Sequence, residues 1–201
     1  MVPPESSDVG ERSDAAAELR RQAEGIAPGR TVALVGLMGA GKTTIGRRLA
    51  HALALPFVDA DEAIVAAAGR SIEDIFAERG ECEFRRGERQ VIARLLDGPP
   101  HVLATGGGAF IDPRTRALMK ERAISIWLKA PIDVLMKRVS KRDHRPLLKE
   151  ADPRAVMQRL MDERYPIYAE ADLTIETGAG PHNSAVAHIL TALRKHLQVT
   201  K

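Results

Sequence analysis

The sequence predicts an α/β domain with three layers, in which helices cover both faces of a five-stranded parallel sheet. Five short apolar runs, each of a length typical of a buried strand, alternate with longer stretches that have apolar residues at helical spacing. Such alternation is typical of parallel strands joined by right-handed helical connections. The five runs are residues 31–35, 56–59, 101–105, 123–128 and 172–176.

Composition excludes several classes of protein. The chain has 201 residues, of which 44% are hydrophobic, enough for one domain with its own core. No apolar run approaches the roughly 18 residues that span a bilayer, and the N-terminus lacks the apolar segment of a signal peptide. The lone Cys82 fits a reducing compartment. The net charge is +3, but aromatic residues make up only 3%. We therefore expect a cytoplasmic monomer that binds neither membranes nor nucleic acid.

The first 28 residues precede the first predicted strand, and we expect them to form a mobile extension. Residues 14–25 can form a short helix, but few large apolar side chains are available to hold it against a domain. The domain itself is therefore assigned to residues 29–201.

A phosphate-binding loop (P-loop) follows the first strand. Residues 36–43 match G-x-x-x-x-G-K-[ST] at every specified position and lead into a stretch with helical spacing. Its glycines allow backbone N–H groups to converge on phosphates at a helix N-terminus. The ammonium of Lys42 is predicted to contact the β- and γ-phosphates, and Thr43 offers a hydroxyl to Mg²⁺. The predicted nucleotide-binding residues here are Gly39, Ala40, Gly41, Lys42, Thr43 and Thr44.

Two carboxylates follow the second strand. Asp59 and Asp61 are two residues apart on an extended chain, so both can point into one cleft at the carboxyl edge of the sheet, where ligands bind in such folds. Helix capping is the alternative interpretation, because aspartate is common at helix starts. The next residues predict a helix from Ser71 to about Gly80 and a second helix over 81–97, which carries Arg85.

Three consecutive glycines, Gly106, Gly107 and Gly108, end the third strand. Their entropic cost predicts a loop that a substrate approaches closely, although a plain turn is the alternative.

The second half of the chain repeats the pattern of helix and strand. Pro113 and Pro131 each open a helix, and the second of these helices carries Arg138. Residues 141–152 then form a long connection with four basic side chains before Lys149, which predicts a functional lid, with a solvated surface loop as the alternative. A helix from Pro153 carries Arg164, and the last strand and helix follow.

The P-loop, the basic loop and the two aspartates together predict phosphoryl transfer. The chain has neither the switch sequences of a GTPase nor the effector regions of a motor. A kinase of small metabolites fits these features best.

The chain resembles the shikimate kinase family over about residues 30–197. The motifs that carry the resemblance are Gly36-Leu-Met-Gly-Ala-Gly-Lys-Thr-Thr-Ile-Gly-Arg47, Asp59-Ala-Asp61, Glu83-Phe-Arg85-Arg86, Gly106-Gly-Gly108, Arg145-Pro-Leu-Leu148 and Arg164-x-Pro-x-Tyr168. The P-loop is common to many kinases, whereas the other five motifs together are specific. The resemblance implies a P-loop kinase fold with a lid loop. It also implies ATP-dependent phosphorylation of the shikimate 3-hydroxyl, a step of aromatic amino-acid (chorismate) biosynthesis.

The resemblance also implies roles for individual residues. Lys42, Asp61 and Arg145 are the implied catalytic residues, with Arg145 closing on the phosphates from the lid. Arg138 is implied to lie against the adenine. Thr43 and Asp59 are the implied Mg²⁺ site. The implied shikimate-binding residues are Asp61, Arg85, Gly106, Gly107, Gly108 and Arg164.

Two alternatives remain at this stage. Gluconate kinase is a related P-loop enzyme whose substrate is also a hydroxylated carboxylate. A catalytically silent nucleotide-sensing module would be expected to have lost one of the phosphate- or proton-handling residues, and all of them are present. The chain departs from the family pattern at Ala104, which stands where serine is expected, and in its N-terminal extension.

Overall fold

The computed structural model describes residues 7–140 and 152–199, with the side chains of residues 7–13 left out of the description. All five predicted strands form and pair in parallel, in the order β2-β3-β1-β4-β5. This confirms the predicted α/β fold with a five-stranded parallel sheet. The strands are β1 (Thr31–Val35), β2 (Phe57–Asp59), β3 (Val102–Ala104), β4 (Ala123–Lys129) and β5 (Leu173–Glu176).

Within residues 7–140 and 152–199, eight α-helices connect and flank these strands. They are α1 (Ser7–Ala23), α2 (Lys42–Leu53), α3 (Ala60–Ala68), α4 (Ile72–Leu96), α5 (Pro113–Arg122), α6 (Ile132–Val139), α7 (Pro153–Tyr168) and α8 (His182–Val199). A short 3₁₀ helix spans Ala109–Ile111. None of the helices in the described ranges is long and apolar enough to cross a membrane.

The strand order places a crevice between β1 and β3. Right-handed connections put α2 on one face of the sheet, whereas the connections that follow β2, β3 and β4 run to the other face. The chain therefore leaves the adjacent strands β1 and β3 in opposite directions. Ligands of open α/β sheets bind in such a crevice, at the carboxyl ends of the strands.

Helix α4 bends where the sequence predicts a break between two helices. The hydroxyl of Ser71 accepts a hydrogen bond from the Asp74 amide and caps the N-terminus of α4. Gly80 has φ 75° and ψ 174°, a conformation that is open to glycine and strained for other residues. The second part of α4, which carries Arg85, follows this bend.

The N-terminal segment contributes to the main core. Leu19 and Ala23 of α1, together with Ile26, are buried in the same apolar cluster as the sheet. The guanidinium of Arg194 in α8 donates to the backbone oxygens of Gln22 (2.7 Å) and Glu24 (3.2 Å). The expectation of a mobile extension rested on the small number of large apolar residues, yet two of them, Leu19 and Ile26, are buried together with Ala23. We propose that residues 14–28 are a docked part of the domain.

The substitution Leu19→Ala tests this docking. The Leu19 side chain is 6% exposed, so its truncation is expected to lower the free energy of unfolding by about 2 to 5 kcal/mol. Glu24→Ala, at an exposed position of the same segment, is the control. Urea denaturation measures both variants. Equal stability of the two variants would mean that α1 is undocked in solution.

Candidate active site

The P-loop takes the conformation that its glycines permit. Gly36, Gly39 and Gly41 all have positive φ, and α2 begins at Lys42 directly after Gly41. A Cβ atom on Gly36 would lie 2.8 Å from the backbone oxygen of Leu128 in β4, so a side chain at this position would collide with the sheet. The loop therefore places the N-terminus of α2 at the carboxyl edge of β1, as the motif predicts.

The Lys42 ammonium lies within the curve of the loop. It donates to the backbone oxygens of Gly36 (2.7 Å) and Leu37 (3.0 Å). Both of these acceptors are neutral carbonyls. Phosphate oxygens form stronger, charge-assisted hydrogen bonds with an ammonium, so Lys42 can exchange the carbonyls for phosphate oxygens. Thr44, the other predicted nucleotide contact in this helix, is half-buried in the first turn of α2.

The side chains of Thr43 and Asp59 meet beside the P-loop. The Thr43 hydroxyl donates to Oδ2 of Asp59 at 2.9 Å, and Oδ1 of Asp59 accepts from the Asp61 amide at 3.1 Å. Asp59 therefore caps α3 and at the same time faces the nucleotide loop, so the two interpretations of this residue are compatible.

These two side chains suit a hard cation that takes most of its ligands from water and phosphate rather than from the protein. Hydroxyl and carboxylate oxygens are the donors that Mg²⁺ prefers, and Mg²⁺ in nucleotide sites keeps several waters and phosphate oxygens. Within residues 7–140 and 152–199, no cluster of three or more His, Cys, Asp or Glu side chains could form an all-protein metal cage. Thr43 and Asp59 thus fit a metal that arrives with a nucleotide.

A cleft of about 1280 Å³ opens next to the P-loop, between α3, α4 and α7. It brings together predicted substrate residues from four separate parts of the chain. These are Asp61, Arg85, Gly106, Gly107, Gly108 and Arg164. The cleft also has an apolar wall that the sequence analysis did not identify, formed by Met38, Phe76, Phe84 and Val156.

Arg85 is held in the cleft by two carboxylates of its own helix. Its guanidinium donates to Glu88 at 2.6 Å and to Glu81 at 3.3 Å. Burial alone would lower the pKa of Arg85, but these two partners outweigh it, so the pKa rises above its usual value. Arg85 is therefore fixed as a cation, and its side chain lies directly beside Gly108.

Glu88 is a site residue that the sequence analysis missed. It is 2% exposed, and its Oε1 atom has no hydrogen-bond partner among the described residues. Burial is the largest influence on its pKa and raises it above the ordinary glutamate value, although Arg85 acts in the opposite direction. The three-residue spacing from Arg85 was the available signal, because residues at i and i+3 share a helix face.

The glycine loop, residues 106–108, lies against the P-loop. Thr105, just before it, uses both its amide (3.2 Å) and its hydroxyl (2.9 Å) to bond the backbone oxygen of Leu34 in β1. A Cβ atom on Gly107 would be 3.7 Å from both the Gly36 oxygen and the Met38 amide nitrogen. A methyl group at this position would therefore just touch the P-loop, so the two loops face each other closely across the crevice.

Arg164 bonds to the glycine loop, and Arg138 bonds to the P-loop. The Arg164 guanidinium donates to the Gly107 oxygen at 3.4 Å, which places it at the cleft. Arg138 donates to the backbone oxygens of Gly39 (3.3 Å) and Ala40 (3.2 Å), and to that of Gly178 at 2.7 Å. Arg138 thus joins the P-loop to the segment that precedes α8. The predicted lid at 141–152, with Arg145, lies outside the described residues except for Asp152, which caps α7.

Comparison with known proteins agrees with this geometry. Residues 38–194 match the model of the shikimate kinase family. The chain is 61% identical over 166 residues to a shikimate kinase of Caulobacter vibrioides, covering 83% of each chain. It is 56% identical over 173 residues to a shikimate kinase of Paramagnetospirillum magneticum, covering 86% of this chain and 89% of the relative.

A solved structure is similar in fold as well. The shikimate kinase from Acinetobacter baumannii in complex with shikimate superposes with a TM-score of 0.80 at 36% identity, covering 88% of this chain and 98% of that one. The matched residues 38–194 include the lining of the cleft, the glycine loop and the P-loop from Met38 onward. The chain therefore belongs to the shikimate kinase family.

Proposed function

We propose that this protein transfers the γ-phosphoryl group of ATP to the 3-hydroxyl of shikimate, giving shikimate 3-phosphate and ADP in the chorismate pathway. The closeness of the glycine loop to the P-loop carries this proposal. Because of it, the cleft with its two arginines opens directly onto the phosphate site. A hydroxyl of a substrate in the cleft can therefore reach a phosphate bound at Lys42 without a large movement of either loop.

The two arginines of the cleft suit the shikimate carboxylate. Arg85 on α4 and Arg164 on α7 approach the glycine loop at Gly108 and Gly107 respectively. Guanidinium groups form paired, planar hydrogen bonds with a carboxylate, which a lysine ammonium does not reproduce. Two of them from separate helices would fix both the position and the plane of the substrate's acid group.

Asp61 suits the hydroxyl face of the substrate. It lines the cleft next to Gly106 and Glu88, and it directly follows the α3 cap at Asp59, beside the P-loop. Its carboxylate would accept hydrogen bonds from ring hydroxyls, orient the 3-hydroxyl and accept its proton during transfer.

Positive charge around the phosphates provides the remaining catalysis. Phosphoryl transfer passes through a loose transition state with negative charge on the equatorial oxygens. Lys42 and the amides of Gly39, Ala40, Gly41 and Thr44 would hold the phosphates, with Arg145 closing from 141–152. Thr43 and Asp59 would hold Mg²⁺, which neutralises phosphate charge when bound, and Arg138 would lie against the adenine.

The proposed location, oligomeric state and partners of the protein follow from its composition and its free cysteine. We propose a cytoplasmic monomer that binds neither nucleic acid nor membranes, in keeping with the free Cys82 and the low aromatic content. Gluconate phosphorylation is less favoured, because the relatives at 56 to 61% identity are named shikimate kinases. A silent sensor is also less favoured, since Lys42, Asp59 and Asp61 are all in place beside the cleft.

A coupled assay of ADP release with shikimate and gluconate tests the activity, and arginine variants test the carboxylate site. Arg85→Lys and Arg164→Lys each lose part of a charge-assisted contact, so kcat/KM for shikimate is expected to fall by about 10- to 150-fold. The KM for ATP should change little. The two effects should not be additive, because both groups bind one carboxylate.

Arg86→Lys is the matched control, because this neighbour on α4 is exposed and pairs with Glu83. It should leave both substrates unaffected. Turnover of gluconate but not shikimate would overturn the proposed activity. Variants that raise the KM for ATP and leave shikimate unaffected would instead assign the two arginines to the phosphate site.

A further inference from the structure

We infer that Tyr168 is a positioning residue for the glycine loop, and that it acts through a hydrogen bond from its phenol to the backbone oxygen of Gly107. The inference rests on the proposed function, because the loop lines the cleft assigned to shikimate. Tyr168 is the last residue of α7 and is fully buried, so it does not itself line the cleft.

The phenol is held in its donor form. Burial disfavours the phenolate and raises the pKa of Tyr168 to about 12, although the nearby Arg164 acts in the opposite direction. At any pH at which the enzyme is assayed, the phenol therefore keeps its proton and can donate it to the Gly107 oxygen.

The bond from Tyr168 sets the orientation of the peptide group between Gly107 and Gly108, whose oxygen receives only a long second contact, from Arg164 at 3.4 Å. A triplet of glycines has more backbone freedom than any other three residues, and freezing it costs entropy. The Gly107 oxygen and the Gly108 amide belong to one planar peptide group and point in opposite directions. When Tyr168 holds the oxygen, the Gly108 N–H is turned away from Tyr168. Gly108 is the residue that lies beside Arg85.

Arg164 cannot fill this role while it binds a substrate. Arg164 and Tyr168 are four residues apart on α7, so they share a helix face, and both donate to the Gly107 oxygen. The Arg164 contact is long, at 3.4 Å. A guanidinium that turns toward a substrate carboxylate gives up this contact, and Tyr168 keeps the buried oxygen paired. The tyrosine thus lets the arginine change partners without releasing the loop.

Helix α7 contains a second tyrosine, Tyr165, which serves as a comparison for Tyr168. Tyr165 also packs against Trp127, and its phenol also donates to a backbone oxygen, that of Ala130 at 2.6 Å. Ala130 follows β4 and does not line the cleft. Tyr165→Phe and Tyr168→Phe therefore remove equivalent groups from neighbouring positions, and only the second change affects the glycine loop.

The experiment compares these two variants in the full chain. Tyr168→Phe is expected to lower kcat/KM for shikimate by about tenfold, the effect of one lost hydrogen bond that leaves a buried oxygen poorly paired, with the KM for ATP unchanged. Tyr165→Phe should leave both values near those of the wild type. Hydrogen exchange without ligands should be faster over residues 105–109 in Tyr168→Phe alone, because the loop loses its restraint.

The outcomes separate this inference from the proposed function. A wild-type enzyme that does not phosphorylate shikimate would overturn the function, while the exchange measurement would still report on the loop. If the wild type is active and the two variants match in kinetics and in exchange over 105–109, Tyr168 has no positioning role. Equal loss of ATP and shikimate affinity in Tyr168→Phe would mark a general packing defect and would also refute the inference.

Discussion

Lys42→Ala is expected to lower kcat/KM by about 10³-fold while the protein remains folded. The Lys42 ammonium lies in the P-loop, where the transferred phosphate is proposed to bind. Removing one preorganised donor from a developing negative charge typically costs two to three orders of magnitude. In the structure its bonds go to the Gly36 and Leu37 oxygens of a loop that the backbone itself holds in place. The loss should therefore appear in turnover far more than in stability.

Lys129→Ala is the control for this prediction. Lys129 is an exposed lysine that pairs with Glu176 on the neighbouring strand, outside the cleft. Steady-state kinetics and thermal melting are measured for both variants. The melting temperatures should stay close to that of the wild type. Activity of Lys42→Ala within tenfold of the wild type would contradict the placement of this ammonium at the transferred phosphate.

The loops around the site could be predicted from sequence because their signals are local. The P-loop glycines, the Asp59–Asp61 pair and the glycine triplet each encode a backbone conformation or a strand end within a few residues. Parallel strands then bring these ends to one edge of the sheet, so the pattern of strands also predicted that they meet. The closeness of Gly107 to Gly36 and Met38 agrees with that reasoning.

The parts that were missed depend on packing between distant segments. Glu88 is an ordinary helical glutamate in the sequence, and it is a site residue because α4 buries it beside Asp61 and Gly106. The bond from Tyr168 to Gly107 spans 61 positions of the chain, and no local pattern encodes it. The proposed docking of α1 rests on contacts of the same kind, since α1 packs against α2 and α8, which lie far from it in sequence.

Asp61→Asn should also abolish most of the activity. The free energy of unfolding of this variant is expected to equal or exceed that of the wild type. Asparagine has the same shape and keeps one oxygen that can accept a hydrogen bond, but it cannot take a proton. If Asp61 accepts the proton of the 3-hydroxyl, kcat should fall by about 10²- to 10⁴-fold, while the dissociation constant of shikimate changes much less. The negative charge of Asp61 adds to the cost of ionising the buried Glu88, so its removal should not destabilise the fold.

The matched control is Asp97→Asn, which makes the same exchange away from the cleft. Asp97 is exposed, pairs with Arg122 and does not line the cleft, so its loss should leave kcat unchanged. Single-turnover kinetics and equilibrium binding of shikimate separate the two possible roles of Asp61. Weaker binding with a modest loss of rate would mean that Asp61 only orients the hydroxyl. Normal binding with a large loss of rate would identify it as the proton acceptor. Near-normal kcat would exclude that role, because an amide at this position cannot accept the proton.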